Sequence, residues 1–170
     1  MPIQRLNHAV LYVRDVARSV AFYREALGFT VIEDGDVFRG AAFLRASGSS
    51  NDHDLGLFQL GPEAGPSGAG KTTVGLYHLA WEVDTLAELQ RIAERLSELG
   101  ALAGASDHST TKALYAKDPD GLEFEVSWLV PADLLTDDIK AKRNETSRLD
   151  LAREVERFGA DTKGGVGVSV

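Results

Sequence analysis

Two histidines and one late glutamate stand out as residues that could hold a metal ion. His8 lies in Asn7-His8-Ala9-Val10-Leu11-Tyr12-Val13, and His78, 70 positions later, lies in Tyr77-His78-Leu79-Ala80-Trp81-Glu82-Val83. Glu125 sits in a strand-like run in which Leu122, Phe124, Val126 and Trp128 alternate with Glu123, Glu125 and Ser127. A carboxylate inside a half-apolar strand is costly unless it is paired or ligating. Two neutral imidazoles and a carboxylate suit non-haem Fe(II) with open coordination positions, and Mn, Zn, Ni or Co can occupy the same set. The chain has no cysteine, so any metal is held by nitrogen and oxygen. A single strand histidine is more often a hydrogen-bonded core residue, and a single glutamate a solvated edge residue. The equivalence of the two histidines within a repeat is what joins the three into one reading.

The elements that must position these residues occur twice. Each histidine segment reads as a short strand rich in β-branched and aromatic residues. Asp15 can cap a helix carrying Val16, Val20, Tyr23 and Leu27 and stopping at Gly28, while Asp84 or Thr85 can cap one carrying Leu86, Leu89, Ala93 and Leu96 and stopping at Gly100. Short strands follow in each half, at about 30–33, 40–46 and 54–60, then near Leu102, at 111–117 and at 122–129. The expected fold class is α+β, with two paired βαβββ modules, because one such unit cannot cover both faces of its own sheet. Module one spans 3–60, a Gly- and Pro-rich linker 61–73, and module two 74–130. Residues 131–170 form a C-terminal extension, with a capping box at Ser147-Arg148-Leu149-Asp150, a helix to about Phe158 and a frayed tail from Gly159. Alternation along a strand places His8 on the face of Leu6, Val10 and Tyr12, and His78 on the face of Leu76, Ala80 and Glu82.

At 170 residues, 44% apolar and 26% charged, the chain reads as one ordinary globular domain. A formal charge of -8 disfavours nucleic acid and anionic membranes as partners. No run has the layout of a signal peptide or the length to span a bilayer, so a cytoplasmic protein is expected. Gly65-Pro-Ser-Gly-Ala-Gly70-Lys71-Thr72 matches the phosphate-loop pattern by letter, but the segment that follows favours a strand where that loop requires a helix. A flexible linker is the better reading.

The segments Asn7-His8 and Tyr77-His78 and the run Asp118-Pro-Asp-Gly-Leu-Glu-Phe-Glu125-Val126 resemble the vicinal oxygen chelate superfamily, which includes glyoxalases, extradiol dioxygenases and antibiotic-resistance proteins. The resemblance covers about residues 3–130 and implies a partly open mixed sheet around a metal cavity, with His8, His78 and Glu125 as ligands. Three details resemble the extradiol branch, in which His53 would serve as acid–base residue, Tyr115 as the substrate-side tyrosine and His108 as a further active-site histidine. The implied activity is ring cleavage of a small catechol-type aromatic by O₂ at Fe(II). A glyoxalase-like metal-dependent isomerase or lyase is the alternative, and a protein that binds an antibiotic or another small molecule is a third. Gln59 keeps a four-ligand isomerase site open. Phe38, Phe43, Tyr77 and Trp128 either line a pocket or fill the core. The pattern weakly favours a homodimer, with modules paired within one chain or swapped across two.

Overall fold

A computed structural model describes residues 2–32, 40–70 and 72–165. Glu33, Phe38 and Lys71 lie outside these residues, as does the end of the tail from position 166. The α+β class and the two βαβββ modules are both observed. The chain forms two compact units, 1–67 with 118–121, and 68–117 with 122–170.

In the first unit, β1 (Ala9–Val13) leads into α1 (Val16–Leu27), followed by β2 (Thr30–Val31), β3 (Ala41–Arg45) and β4 (Leu55–Gln59). The sheet order is β1-β4-β3-β2, with β1 parallel to β4 and the other pairs antiparallel. Alternation along β1 is as expected: Leu11 and Val13 are buried with Leu44, Leu55 and Leu57, while Val10 and Tyr12 are exposed on the opposite face. Asp15 caps α1 by accepting from Arg18 N–H, and Gly28 ends it at φ 70°, a left-handed conformation that glycine adopts without a Cβ penalty. The turn Asp118–Gly121 belongs to this unit. Tyr23 donates its hydroxyl hydrogen to Asp118 Oδ2 (3.2 Å), and Arg14 donates from its backbone N and from Nη1 to Asp120 (2.9 and 2.8 Å).

In the second unit, β5 (His78–Glu82) leads into α2 (Leu86–Glu98), then β6 (Leu102–Asp107), β7 (Thr111–Lys117) and β8 (Glu123–Leu129), and the order β5-β8-β7-β6 repeats that of the first. Thr85 is the N-cap of α2, and Leu86, Leu89, Ile92 and Leu96 form its buried stripe. Phe124, Val126 and Trp128 are buried and face Ala116, Leu114 and Lys112 across β7.

The C-terminal extension differs from the sequence reading. A 3₁₀ turn (Ala132–Leu134) and a short helix α3 (Asp137–Ala141) precede β9 (Ser147–Arg148), which pairs with β6. Ser147 is therefore a strand residue; Asp150 is the N-cap of α4 (Leu151–Phe158), accepting from Arg153 N–H at 3.1 Å. Backbone pairing won over local capping propensity here because β6 offers an open edge. The tail is not frayed as far as Gly165: Gly164 N–H donates to Asp84 O (2.7 Å), Gly165 N–H to Leu129 O (3.0 Å) and Trp128 Nε1 to Thr162 O (3.2 Å). A Cβ at Gly164 would lie 2.8 Å from Trp128 Nε1, so this docking requires glycine. Among the described residues no helix is long and apolar enough to cross a membrane.

Candidate metal centre

Register in the second unit brings two of the candidate metal ligands together. Parallel pairing sets Ala80 of β5 opposite Glu125 of β8, which leaves His78 one diagonal step away on the same face. Antiparallel pairing sets Tyr115 of β7 directly opposite Glu125. The result is His78 Nε2 3.4 Å from Glu125 Oε2, both side chains largely shielded. Tyr115 hydrogen-bonds to Glu125, and its hydroxyl oxygen is 2.9 Å from His108 Nε2. His108 Nδ1 in turn meets Thr146 Oγ1 at 3.1 Å. Burial, then the charge of Glu125 and the hydrogen bond to it, raise the Tyr115 pKa above its ordinary value, so near neutral pH it is an uncharged phenol with one hydrogen to give.

This pair fits a divalent metal. Two donor atoms each about 2.1 Å from one ion, at octahedral to tetrahedral angles, lie about 3.0–3.4 Å apart, which is the separation a shared ion produces. His78 Nδ1 is buried and has no hydrogen-bond partner among the described residues, so the ring is oriented by packing against Tyr77 and Tyr115. Of the expected ligand trio, His8 belongs to the first unit, and among the described residues no group of three histidine, aspartate or glutamate side chains is gathered as a metal cage.

In the first unit His8 and His53 come together, with ring centroids 4.5 Å apart and Phe43 set edge-on against His53 at 4.9 Å. His8 Nδ1 lies 2.7 Å from Asn7 Oδ1, and His53 Nδ1 lies 2.9 Å from Asp52 Oδ2. The hydrogen bond to His53 holds the Asp52 carboxyl below its usual range. In the strand after His53, Leu55 and Leu57 lie on the core face, opposite the face of Val10 and Tyr12, and the chain bends at Asp54 just before β4. Asp54 is a buried hub whose carboxylate accepts from Ala46 N–H, Ser49 Oγ and Asn51 Nδ2. The face of Val10 and Tyr12 is continued in β4 by Gly56 and Phe58. Val10 pairs with Gly56 as Ala80 pairs with Glu125, so the repeat position of the second module's carboxylate is a glycine in the first. Gln59 is not held out as a donor, since its Oε1 accepts from Val16 N–H at the start of α1 (3.2 Å).

Of the four aromatic residues considered for a pocket, Trp128 is core, Phe43 borders His53 and Tyr77 is exposed beside His78. Sequence reading missed Gly56, Asp54 and Thr146. Counting forward from the two histidines lands on Leu55, one residue short of Gly56, and nothing local marks Thr146.

A family model described as Glyoxalase/Bleomycin resistance protein/Dioxygenase superfamily matches residues 5–126. Catechol-2,3-dioxygenase of Bacillus subtilis (strain 168) is 33% identical over 121 residues, which cover 71% of this chain and 40% of that protein. Lactoylglutathione lyase of Neisseria meningitidis serogroup A is 27% identical over 124 residues, covering 71% of this chain and 88% of the lyase. The crystal structure of a glyoxalase/dioxygenase from Nostoc punctiforme superposes with a TM-score of 0.60 at 26% identity, covering 73% of this chain and 90% of that one. The chain thus spans well under half of the dioxygenase and most of the lyase.

Proposed function

The chain belongs to the glyoxalase/bleomycin resistance protein/dioxygenase superfamily, and from that premise we propose that it is an extradiol dioxygenase, opening a catechol-type ring with O₂ at Fe(II). The observation that carries this reading is the hydrogen-bonded row His108–Tyr115–Glu125 beside His78. His78 and Glu125 would hold the metal, with His8 as the third ligand by its equivalence to His78 in the repeat. Fe(II) held there would supply open coordination positions and a path for electrons between substrate and O₂. Both oxygen atoms end in the ring-opened product, so the reaction needs no further reductant.

The remaining work falls to side chains. Tyr115 is a neutral donor that can orient a substrate oxygen, and His108 fixes where its hydroxyl points. His53 is the proposed acceptor of a catechol proton, its ring held through Nδ1 by Asp52 Oδ2 at 2.9 Å.

The test is anaerobic loading with Fe(II), addition of catechol or a substituted catechol, and admission of air. A yellow ring-opened product with matching O₂ uptake is expected. Absence of both across a panel of catechols, in protein that has taken up one Fe(II), would overturn the proposal. A Lewis-acid isomerase or lyase is the second reading, favoured by the fuller span of the lactoylglutathione lyase, and it would show turnover without oxygen. Gly56 speaks against it, because it removes a carboxylate from the position that would complete a four-ligand site.

A further inference from the structure

Thr146 lies just ahead of β9, and its hydroxyl meets His108 Nδ1 at 3.1 Å. We infer that Thr146 is a positioning residue that holds His108 in register with Tyr115 by serving as donor or acceptor to whichever tautomer that histidine adopts. The inference rests on the proposed dioxygenase site and extends it into the C-terminal extension.

Hydrogen counting supports it. Tyr115 has one hydroxyl hydrogen and two neighbours, the carboxylate of Glu125, which only accepts, and His108 Nε2. When the hydrogen points to Glu125, the phenol oxygen accepts from His108 Nε2–H, Nδ1 is bare, and the Thr146 hydroxyl donates to it. When the Tyr115 hydrogen turns to His108 Nε2, Nδ1 carries the proton and donates to Thr146 Oγ1. A hydroxyl satisfies both states by rotating, whereas a carboxylate side chain would satisfy only the second. Thr146 therefore lets the Tyr115 hydrogen change partner without His108 losing its anchor.

The geometry is held from two sides. Thr146 is exposed, but the next residues are pinned, since Ser147 and Arg148 pair with Asp107 and Ser106 and Leu149 is buried. On the other side, Ser109 sits at φ 66°, unusual for a residue with a Cβ, and uses all its polar groups. Its N–H donates to Asp107 Oδ1 (2.7 Å), its hydroxyl to Ile139 O (2.8 Å), and its carbonyl accepts from Lys112 Nζ (3.2 Å). The extension thus clamps the loop that carries His108.

Thr146→Val and Thr146→Ser test the inference in two measurements. In metal-free wild type, side-chain ¹⁵N NMR should show His108 as the Nε2–H tautomer with a hydrogen-bonded Nδ1. Thr146→Val should move the Nδ1 resonance to that of an unbonded nitrogen, and Thr146→Ser should restore it. In Fe(II)-loaded protein, Thr146→Val should lower kcat about 10-fold with KM changed less than about twofold, and Thr146→Ser should recover most of the loss. An Nδ1 resonance indifferent to Thr146→Val, or failure of Thr146→Ser to restore it, would overturn the inference. Wild-type protein without ring-opening activity would overturn the dioxygenase reading instead, and the NMR measurement would still decide the role of Thr146.

Discussion

At the residue scale, the site is a matter of which atoms have somewhere to send their lone pairs and hydrogens. Glu125 and His78 face each other across 3.4 Å, and the next neighbour of Glu125 is a phenol kept neutral by its surroundings. Glu125→Ala and His78→Ala should each weaken Fe(II) or Mn(II) binding by more than about 100-fold in titration calorimetry, a loss larger than outer residues of metal sites produce. Tyr115→Phe should bind the metal within about threefold of wild type while turnover falls about 100-fold, as expected when a hydrogen-bonding group for the substrate is removed. His8→Ala separates the roles of the two repeat-equivalent histidines. A loss of metal binding comparable to that of His78→Ala supports it as third ligand, and unchanged affinity removes it from the set. His8, His78 and Glu125 stood out as candidate ligands from type and spacing, and His53, Tyr115 and His108 only through the resemblance to the extradiol branch, but Gly56 was not legible, because the chain bends at Asp54 before β4.

At the element scale, the extension is tied to module two by a fully buried lysine. Lys112 lies on the core face of β7 opposite Trp128, and its ammonium reaches Asp107 Oδ1 at 2.5 Å and Glu154 Oε2 of α4 at 3.0 Å. Phe158 contributes a ring 5.7 Å from the same ammonium. Removing one partner of a buried ion pair strands the others without compensation, which costs about 3–5 kcal/mol. Lys112→Met should therefore lower unfolding stability in urea by about that amount, and Lys112→Met combined with Glu154→Gln should recover part of it. Equal stability of the single variant and wild type would show that the network contributes nothing. Sequence periodicity could not foresee this lysine, since β7 reads locally as a strand with a charged residue near its start. Its burial comes from α4, more than thirty residues later.

At the scale of the whole molecule, one buried phenol makes stability depend on alkali. Burial foremost, then the charge of Asp118 and the hydrogen bond to it, push the Tyr23 pKa well above its ordinary 10.0. The folded chain thus keeps this proton at pH values where the unfolded chain has released it. The resulting stabilisation is full below the unfolded value and is lost as pH rises through the raised folded value. Melting temperatures measured from about pH 8 to 11 should fall above about pH 10 in wild type. Tyr23→Phe should remove that part of the decline at the cost of a lower plateau, because Asp118 loses a donor. A parallel decline in wild type and variant would show that Tyr23 is not its source.

The amino-acid order alone determined the two βαβββ modules, the Asp15 cap, the Gly28 stop and the strand face of His78, and it narrowed the α2 cap to Asp84 or Thr85, because each depends on periodicity and capping within a few residues. Tertiary structure decided which of those side chains meet. His78 reaches Glu125 through the parallel register of β5 and β8, Gly56 occupies the matching place through that of β1 and β4, and Thr146 reaches His108 because β9 adds to the edge of β6. Register and edge pairing are set by hydrogen bonds between distant segments, and the local sequence around any one of these residues contains no record of them.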